Sequence, residues 1–295
     1  MSFIRDTVKI SQLTIPGTHN TCAFKINCLA QCQNTCLTEQ LCSGVRYLDI
    51  RCYHNMDRFE LCHGHFKIDN DFECDVLKVL VSFLTMNPSE TIIVALKPEQ
   101  ESRSNTRKFD ETFLSYAKKY ARFWYLADTI PTMQQARGKI VLLRRFFSMC
   151  LPLGIDMFAW EESQTFLMQN HPGVKFFIQD EFKLKENSKW CAIMNMFKIA
   201  NLMSKYENVW FLNFTSASYW SLQTPFCIAQ HINQRLTSYL ECLNRNMDNI
   251  FCSKLNFGTI IVDFSCRFLV KNIYTINFTT NKSVVKERVN PYWWF

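Results

Sequence analysis

Ile15-Pro16-Gly17-Thr18-His19-Asn20 carries a short apolar run into Pro16-Gly17 and then presents a histidine. Proline and glycine terminate strands, so His19 is predicted to lie just beyond a strand end. A histidine there can transfer protons, because its unperturbed pKa lies near neutrality. Most single histidines are packing or surface residues, so the interpretation depends on which residues end the other apolar runs.

The other apolar runs also end in charged or polar residues. Their near-continuous apolar character is typical of strands buried on both faces, and stretches with helical spacing of apolar residues separate them. Strands that alternate with helices form a parallel sheet. The predicted strands, with their polar ends, span 45–51, 58–65, 91–97, 139–145, 174–180, 209–213 and 259–263, and the predicted helices span 76–84, 109–120, 188–206 and 227–243.

About seven strand–helix units in one chain predict a closed barrel, whose active site lies at the C-terminal strand ends. The predicted fold class is therefore α/β, a single distorted (β/α)8-like TIM barrel of parallel strands. No linker or low-complexity segment divides the chain. We assign residues 1–287 to the barrel and residues 288–295 to an aromatic C-terminal tail.

The composition restricts the class of protein. Hydrophobic residues make up 48% and charged residues 20% of the 295 residues, which is an ordinary globular balance. No apolar run reaches the roughly 18 residues of a membrane span, and the N-terminus lacks the apolar core of a signal peptide. The formal charge of +7 forms no nucleic-acid-binding stripe but favours an anionic membrane surface. We expect a cytoplasmic monomer, peripheral at membranes, with secretion as the alternative.

The chain has 14 cysteines, more than a cytosolic enzyme needs and fewer than a small disulfide scaffold would have. Cys28, Cys32 and Cys36 are spaced by four residues, which suits one face of a helix. Zinc sites use a second, distant pair of ligands, and none stands out. We favour buried free thiols, with disulfides as the second interpretation and a metal site as the third.

Five polar residues are predicted to meet at the mouth of the barrel: His19, Asp49, Arg51, His63 and Asp263. Residues two apart in a strand share a face, so Asp49 and Arg51 point the same way. Two histidines suit phosphodiester cleavage, one taking a proton from the nucleophile and the other protonating the leaving oxygen. Arg51 matches phosphate geometry, and each carboxylate can orient one imidazole. The sequence alone does not pair them, and each residue taken singly has a structural explanation, such as a turn cap or an ion pair.

Several segments, taken together and in order, resemble the phosphatidylinositol-specific phospholipase C family, the X-domain barrel. The resemblance is strongest to its small, metal-independent bacterial-type members, and it covers nearly the whole chain. It implies cleavage of phosphatidylinositol, or of a glycosylated form, to diacylglycerol and inositol 1,2-cyclic phosphate at a membrane surface that contains this lipid. The matching segments are 15–20, 45–51, 63–64, 87–93, 136–143, 179–180, 213–216 and 262–263.

The resemblance also implies a role for each residue of the site. His19 is the general base, oriented by Asp263, and Arg51 holds the phosphate. His63 is the general acid, oriented by Asp49. His65 is the alternative acid, because it lies on the same face as His63 if the strand continues. The implied substrate-binding residues are Asn20, Lys97, Arg145, Asp180 and Phe182.

Two of these positions depart from the bacterial pattern. Asn20 stands where the bacterial enzymes carry Asp, and Phe182 stands where they carry Tyr. Calcium-dependent relatives use Asn as a metal ligand, but they lack the arginine found here at Arg51. Protozoan relatives that cleave glycosylphosphatidylinositol combine Asn with a metal-free site. We therefore expect no metal and no cofactor.

Membrane contacts are predicted in two places. Trp220 and Leu222 lie in a loop where the family carries rim aromatics, and Trp293 and Trp294 lie in the aromatic tail. Tryptophan favours the membrane interface, and packing against the barrel is the alternative for both places.

Two other functions are weighed against this one. The first is a catalytically weak or inactive phosphoinositide-binding barrel, which the complete set of matched catalytic residues disfavours. The second is a metal-dependent glycerophosphodiesterase, which shares the barrel. Its chemistry needs a cluster of acidic metal ligands, and Arg51 argues against that.

Overall fold

The structure is a computed structural model that describes residues 1–203, 208–218, 224–246, 255–279 and 285. Short helical turns lie at Ile10–Gln12, Phe72–Leu77 and Ala121–Phe123. The strands are β1 (Ile15–Thr18), β2 (Tyr47–Asn55), β3 (Arg58–His63), β4 (Phe66–Asp71), β5 (Ile92–Pro98), β6 (Trp124–Tyr125), β7 (Ile140–Arg144), β8 (Ile155–Asp156), β9 (Thr165–Gln169), β10 (Lys175–Gln179), β11 (Val209–Phe214) and β12 (Thr259–Val262). The helices are α1 (Leu37–Ser43), α2 (Lys78–Met86), α3 (Phe109–Lys119), α4 (Met133–Ala136), α5 (Glu186–Leu202), α6 (Pro225–Asn246) and α7 (Arg267–Thr279).

Parallel pairing dominates the sheet, as predicted. Neighbours in the order β7-β5-β2-β1-β12-β11-β10 are all parallel. The short strands β6 and β8 pair with β7, and β9 pairs antiparallel with β10. Strands β3 and β4 extend β2 as an antiparallel meander.

Successive residues in the central parallel strands face two different cores, which explains the continuous apolar runs. In β5, Ile93 and Ala95 join an inner cluster, whereas Ile92 and Val94 join an outer cluster that also contains residues of α2 and α3. The inner cluster draws on strands from both ends of the pairing order, so the sheet curls into a barrel. Its members come from β1, β2, β5, β7, β8, β9, β10, β11 and β12.

The barrel has an interrupted seam. Among the described strands, no ladder of hydrogen bonds joins β8 to β9. A side-chain hydrogen bond crosses there, with Asn170 Nδ2 donating to Asp156 O at 3.1 Å. The prediction of a single, distorted barrel is confirmed, but the predicted closure is not, because the described strands leave the sheet open between β8 and β9.

The segment between β1 and α1 differs from the prediction for its cysteines. Cys28, Cys32 and Cys36 do not share a helix face, because the segment folds back on itself: the N–H groups of Cys32 and Gln33 both donate to Ala23 O at 3.0 Å. The described cysteines are free thiols, as favoured, but only Cys32, Cys52 and Cys62 are buried and most others are exposed. The prediction of buried thiols is therefore wrong for most of them.

The chain returns to its start at Val285. This residue forms an antiparallel bridge with Ile4, and Arg5 Nε donates to Val285 O at 2.7 Å. The predicted tail, residues 288–295, lies outside the described residues. No described helix combines the length and apolar character that crossing a membrane requires.

Two glycines with the same φ angle allow a comparison of how tightly the backbone packs between β11 and the start of β12. Gly258 and Gly138 both have φ of +68°, but a Cβ would lie 2.4 Å from Phe211 O at the first and 3.5 Å from Pro88 O at the second. We expect Gly258→Ala to lower the free energy of unfolding more than Gly138→Ala. Both variants incur a left-handed backbone cost of about 1–2 kcal/mol, but only Gly258→Ala forces backbone apart. Urea denaturation measures both, and equal losses would contradict the close packing at β11.

Candidate active site

The register of β1 against β12 builds the first half of the site. Thr18 pairs with Val262, so the residues that follow, His19 and Asp263, are neighbours. His19 Nδ1 lies 2.8 Å from Asp263 Oδ1. This pair joins residues that are distant in sequence, and it confirms that the polar ends of separate strands meet.

The neighbours of His19 define its tautomer. Arg51 Nη2 and Asn20 Nδ2 each lie 3.1 Å from His19 Nε2. Both are donors, so Nε2 is the acceptor and Nδ1 carries the proton that is donated to Asp263. A positioned imidazole with its lone pair on Nε2 is equipped to act as a general base.

Two carboxylates hold Arg51. Its Nε and Nη2 donate to Asp49 Oδ2 at 3.3 and 3.2 Å, and its Nη1 donates to Glu99 Oε1 at 2.9 Å. The side chain of Asp49 has no solvent exposure. Burial alone would raise the pKa of Asp49, but Arg51, His19 and Arg145 outweigh it and hold this pKa well below its usual range. The guanidinium is therefore fixed beside the general-base candidate.

His63 has a backbone partner. Its Nδ1 donates to Ala30 O at 2.6 Å, and its ring centroid lies 6.3 Å from that of His19. Burial and the nearby His19 lower the pKa of His63, although the bond to Ala30 opposes this. The predicted pairing of His63 with Asp49 is therefore wrong: a carbonyl orients His63, and Asp49 holds Arg51.

His65 does not share the face of His63. The strand β3 ends at His63, which pairs with Phe66 across the turn into β4. His65 is exposed on that turn, so the condition on which it was the alternative acid is not met.

Eight of the predicted residues line one pocket of about 310 Å³. The two remaining predicted residues of this set, Asp49 and Asn20, are buried beside it. Asn20 Nδ2 also lies 3.7 Å from Cys32 Sγ, so its amide contacts protein groups behind His19. The eight residues are His19, Arg51, His63, Lys97, Arg145, Asp180, Phe182 and Asp263.

Sequence reasoning missed several residues around the pocket. Glu99 lies two residues after Lys97, just beyond the end of β5, and continuing the strand alternation by one residue could have identified it. Trp160 stacks on Arg145, with the guanidinium carbon 3.6 Å from the ring centroid, and its Nε1 donates to Asp180 Oδ2 at 3.1 Å. No pattern in the sequence marks Trp160.

Gln33 is a second residue that the sequence did not indicate. It is fully buried, and its Nε2 donates to His19 O at 2.9 Å and to Val262 O at 3.0 Å. Its side chain therefore ties the backbone of the general-base candidate to the end of β12.

The wall of the pocket carries polar atoms that need partners. Arg145 Nε, Arg145 Nη1 and Ser216 Oγ are buried and make no hydrogen bond to the described residues. Arg145 Nη1 lies 3.7 Å from Asp49 Oδ1, and burial lowers the pKa of this arginine. Buried donors without partners are costly, and both Arg145 and Ser216 line the pocket.

One group of potential metal ligands occurs within the described part of the chain. The ligand atoms of His19, Cys32 and Asp263 lie within 4.8 Å of one another. Burial, and then Asp263, raise the pKa of the Cys32 thiol well above its usual value. A metal at this position would have to displace the thiol proton and compete with the bond between His19 and Asp263.

The predicted membrane contacts cannot be placed. Trp220, Leu222, Trp293 and Trp294 lie outside the described residues.

Comparisons with known proteins identify the family. A family model described as "Phosphatidylinositol-specific phospholipase C, X domain" matches residues 7–146. A 1-phosphatidylinositol phosphodiesterase of Listeria monocytogenes is 31% identical over 290 residues, which cover 94% of this chain and 84% of that protein. One from Staphylococcus aureus is 26% identical over 283 residues, which cover 90% of this chain and 87% of that protein.

Solved structures show the same fold. A phosphatidylinositol-specific phospholipase C from Staphylococcus aureus superposes with a TM-score of 0.84 at 24% identity, over 96% of both chains. The Listeria monocytogenes enzyme superposes with a TM-score of 0.76 at 28% identity, over 94% of this chain and 97% of that one.

The buried charge of Asp49 gives the stability a predictable pH dependence. We expect Asp49→Asn to lower the free energy of unfolding by about 3–5 kcal/mol near neutral pH, because Arg51 loses the more deeply buried of its two carboxylate partners. A carboxyl whose pKa is lower in the folded protein than in the unfolded chain stabilises the fold at pH values above its unfolded pKa of 3.8. This stabilisation is lost as the pH falls toward the pKa of the folded protein. The difference between wild type and variant should therefore narrow below about pH 4.

Urea denaturation across a pH series measures this difference. Asp69→Asn, at an exposed carboxyl, serves as the control and should have little effect. A difference that stays constant with pH would contradict the depressed pKa of Asp49.

Proposed function

Because the chain belongs to the phosphatidylinositol-specific phospholipase C family, we propose that it cleaves phosphatidylinositol to diacylglycerol and inositol 1,2-cyclic phosphate. The observation that carries the proposal is the pairing of His19 with Asp263, with the Arg51 guanidinium 3.1 Å from His19 Nε2. A base and a fixed cation then lie together in a pocket that also contains His63.

In the first step, His19 Nε2 takes the proton of the inositol 2-hydroxyl. The freed oxygen attacks phosphorus, and Arg51 neutralises the negative charge that develops on the phosphate oxygens. Asp263 holds the imidazole in the correct tautomer and stabilises the imidazolium that forms.

In the same step, the bond from phosphorus to the glycerol oxygen breaks and His63 protonates that oxygen. Ala30 O holds the Nδ1 proton of His63, so Nε2 delivers the proton. The lowered pKa of His63 disfavours its charged form, and the phosphodiester anion of the substrate favours that form. Water opens the cyclic phosphate in a second step, with the two histidines exchanging roles.

The inositol ring is bound by the remaining residues of the pocket. Lys97, Arg145 and Asp180 hydrogen-bond its hydroxyl groups, and Phe182 packs against its face. The position of these residues in the lining of the pocket supports this assignment. A glycosylated phosphatidylinositol has the same phosphodiester and 2-hydroxyl, so it falls within the proposal. We propose that the protein acts as a monomer on membranes that contain these lipids.

The two histidines should each be required. We expect His19→Ala and His63→Ala to lower kcat by about 10²–10⁴-fold, the usual contribution of a general acid or base. Release of inositol 1,2-cyclic phosphate from phosphatidylinositol, followed by phosphorus NMR, measures this. His65→Ala is the matched control and should retain activity. An active His63→Ala enzyme alongside an inactive His65→Ala enzyme would reverse the assignment of the acid.

Arg51 should take the place of a metal ion. We expect turnover to survive calcium chelation, and Arg51→Lys to lose much of it, because a point charge does not replace a bidentate fork. Arg58→Lys, at a largely exposed arginine, is the control. Turnover that stops with chelator and returns with calcium would contradict the proposal. Inositol phospholipid binding without any turnover would indicate the alternative, a binding barrel.

A further inference from the structure

Four large apolar side chains are exposed on two neighbouring segments of the barrel mouth. Phe147, Met149, Leu151 and Phe158 are 63%, 72%, 66% and 56% exposed, and we call them the apolar rim. The ring centroids of Phe147 and Phe158 lie 5.8 Å apart, so the segments form one surface. An exposed apolar patch of this kind marks an interaction site.

Buried polar groups hold the loop that carries the rim. Ser148 Oγ and the N–H of Met149 donate to Asp110 Oδ2 at 3.0 and 3.2 Å. Arg144 Nε donates to Leu153 O at 3.1 Å. Because Asp110, Ser148 and Arg144 are buried, the loop is fixed on its inner side. Its apolar side chains are therefore presented outward.

The apolar rim adjoins the active-site pocket. The loop begins directly after Arg145, and Phe158 lies two residues before Trp160, which stacks on that arginine. The end of β5 separates two concavities. Lys97 and Glu99 line the active-site pocket, and Pro98 and Gln100 line a neighbouring concavity under Phe147 and Phe158.

Basic residues lie on one side of the rim. Lys108 lines the concavity next to Phe147, and Arg103 is exposed in the same segment. Arg107 is instead paired with Asp57, its Nε 3.6 Å from Asp57 Oδ2. After Phe158, Glu161 and Glu162 are exposed, so only the side with Lys108 and Arg103 complements the headgroups of an anionic lipid bilayer.

We propose that the apolar rim inserts into the interfacial region of an anionic bilayer, with Lys108 and Arg103 against the headgroups. This rests on the proposed function, since the headgroup of a membrane lipid reaches the pocket only when the mouth faces the bilayer. The residues of the apolar rim are not those predicted to contact the membrane from the sequence, which are Trp220, Leu222, Trp293 and Trp294.

Vesicle binding tests the proposal independently of catalysis. We expect the triple variant Phe147→Ser, Met149→Ser, Leu151→Ser to bind vesicles of phosphatidylcholine and phosphatidylglycerol about tenfold or more weakly than wild type, because apolar area is lost from the contact. These vesicles contain no inositol lipid, and sedimentation measures the bound fraction. Cleavage of phosphatidylinositol in vesicles should fall in parallel, while cleavage of a soluble short-chain phosphatidylinositol should be retained.

The control variant is Met86→Ser, Leu202→Ser. These side chains are 72% and 76% exposed, and each ends a helix that leads toward the start of a strand, at the opposite end of the barrel. Vesicle binding by this variant should match wild type. If the triple variant has a lowered Tm, Lys108→Glu provides a second test and should weaken binding only when phosphatidylglycerol is present.

Three results would overturn the proposal. The first is unchanged vesicle binding by both the triple variant and Lys108→Glu. The second is an equal loss of vesicle binding in the triple variant and the control variant. The third is a wild-type dimer in solution that the triple substitution dissociates. If wild type cleaves neither vesicle nor soluble phosphatidylinositol, the proposed function fails, and the binding comparison still decides the role of the rim.

Discussion

A buried carboxylate, Asp49, is the constraint on which the mouth of the barrel depends. A charge without solvent must be paired and hydrogen-bonded, or its burial is strongly destabilising. Arg51 and the backbone N–H of Asn20 donate to Asp49 Oδ2, and Arg145 lies nearby. The pairing that stabilises Asp49 also fixes Arg51, whose other N–H meets His19 Nε2. One buried charge thus orders both the phosphate-binding candidate and the general-base candidate.

Strand periodicity made half of this arrangement predictable. The alternation of inner and outer residues along β2 places Tyr47 in the inner cluster and Leu48 in the outer one, so Asp49 and Arg51 must face inward together. Continuous apolar runs predicted buried parallel strands, and their polar ends predicted a site at one edge. The pairing of His19 with Asp263 needed the register between β1 and β12, which no spacing within the sequence encodes.

The partner of His63 could not be predicted from residue types. Every residue has a backbone carbonyl, so the bond to Ala30 O leaves no mark on the sequence. It depends on how segment 19–36 folds over the mouth, and the four-residue spacing of its cysteines indicated a helix instead. Trp160 was missed for a related reason: its contacts with Arg145 and Asp180 arise from a loop, and loops lack the periodicity on which sequence reasoning relies.

The different environments of the two histidines give a physical reason for the different roles that we propose for them. His19 has a carboxylate on Nδ1, which stabilises the imidazolium formed when Nε2 accepts a proton. His63 has a neutral carbonyl at its Nδ1. Because the pKa of His63 is lowered, its imidazolium is less populated but donates its proton more readily. Asn20 adds no negative charge beside these rings, whereas the Asp implied for bacterial-type relatives would. In the proposed mechanism, the phosphodiester anion supplies the charge that favours protonation of His63, which would couple the acid form to the presence of substrate.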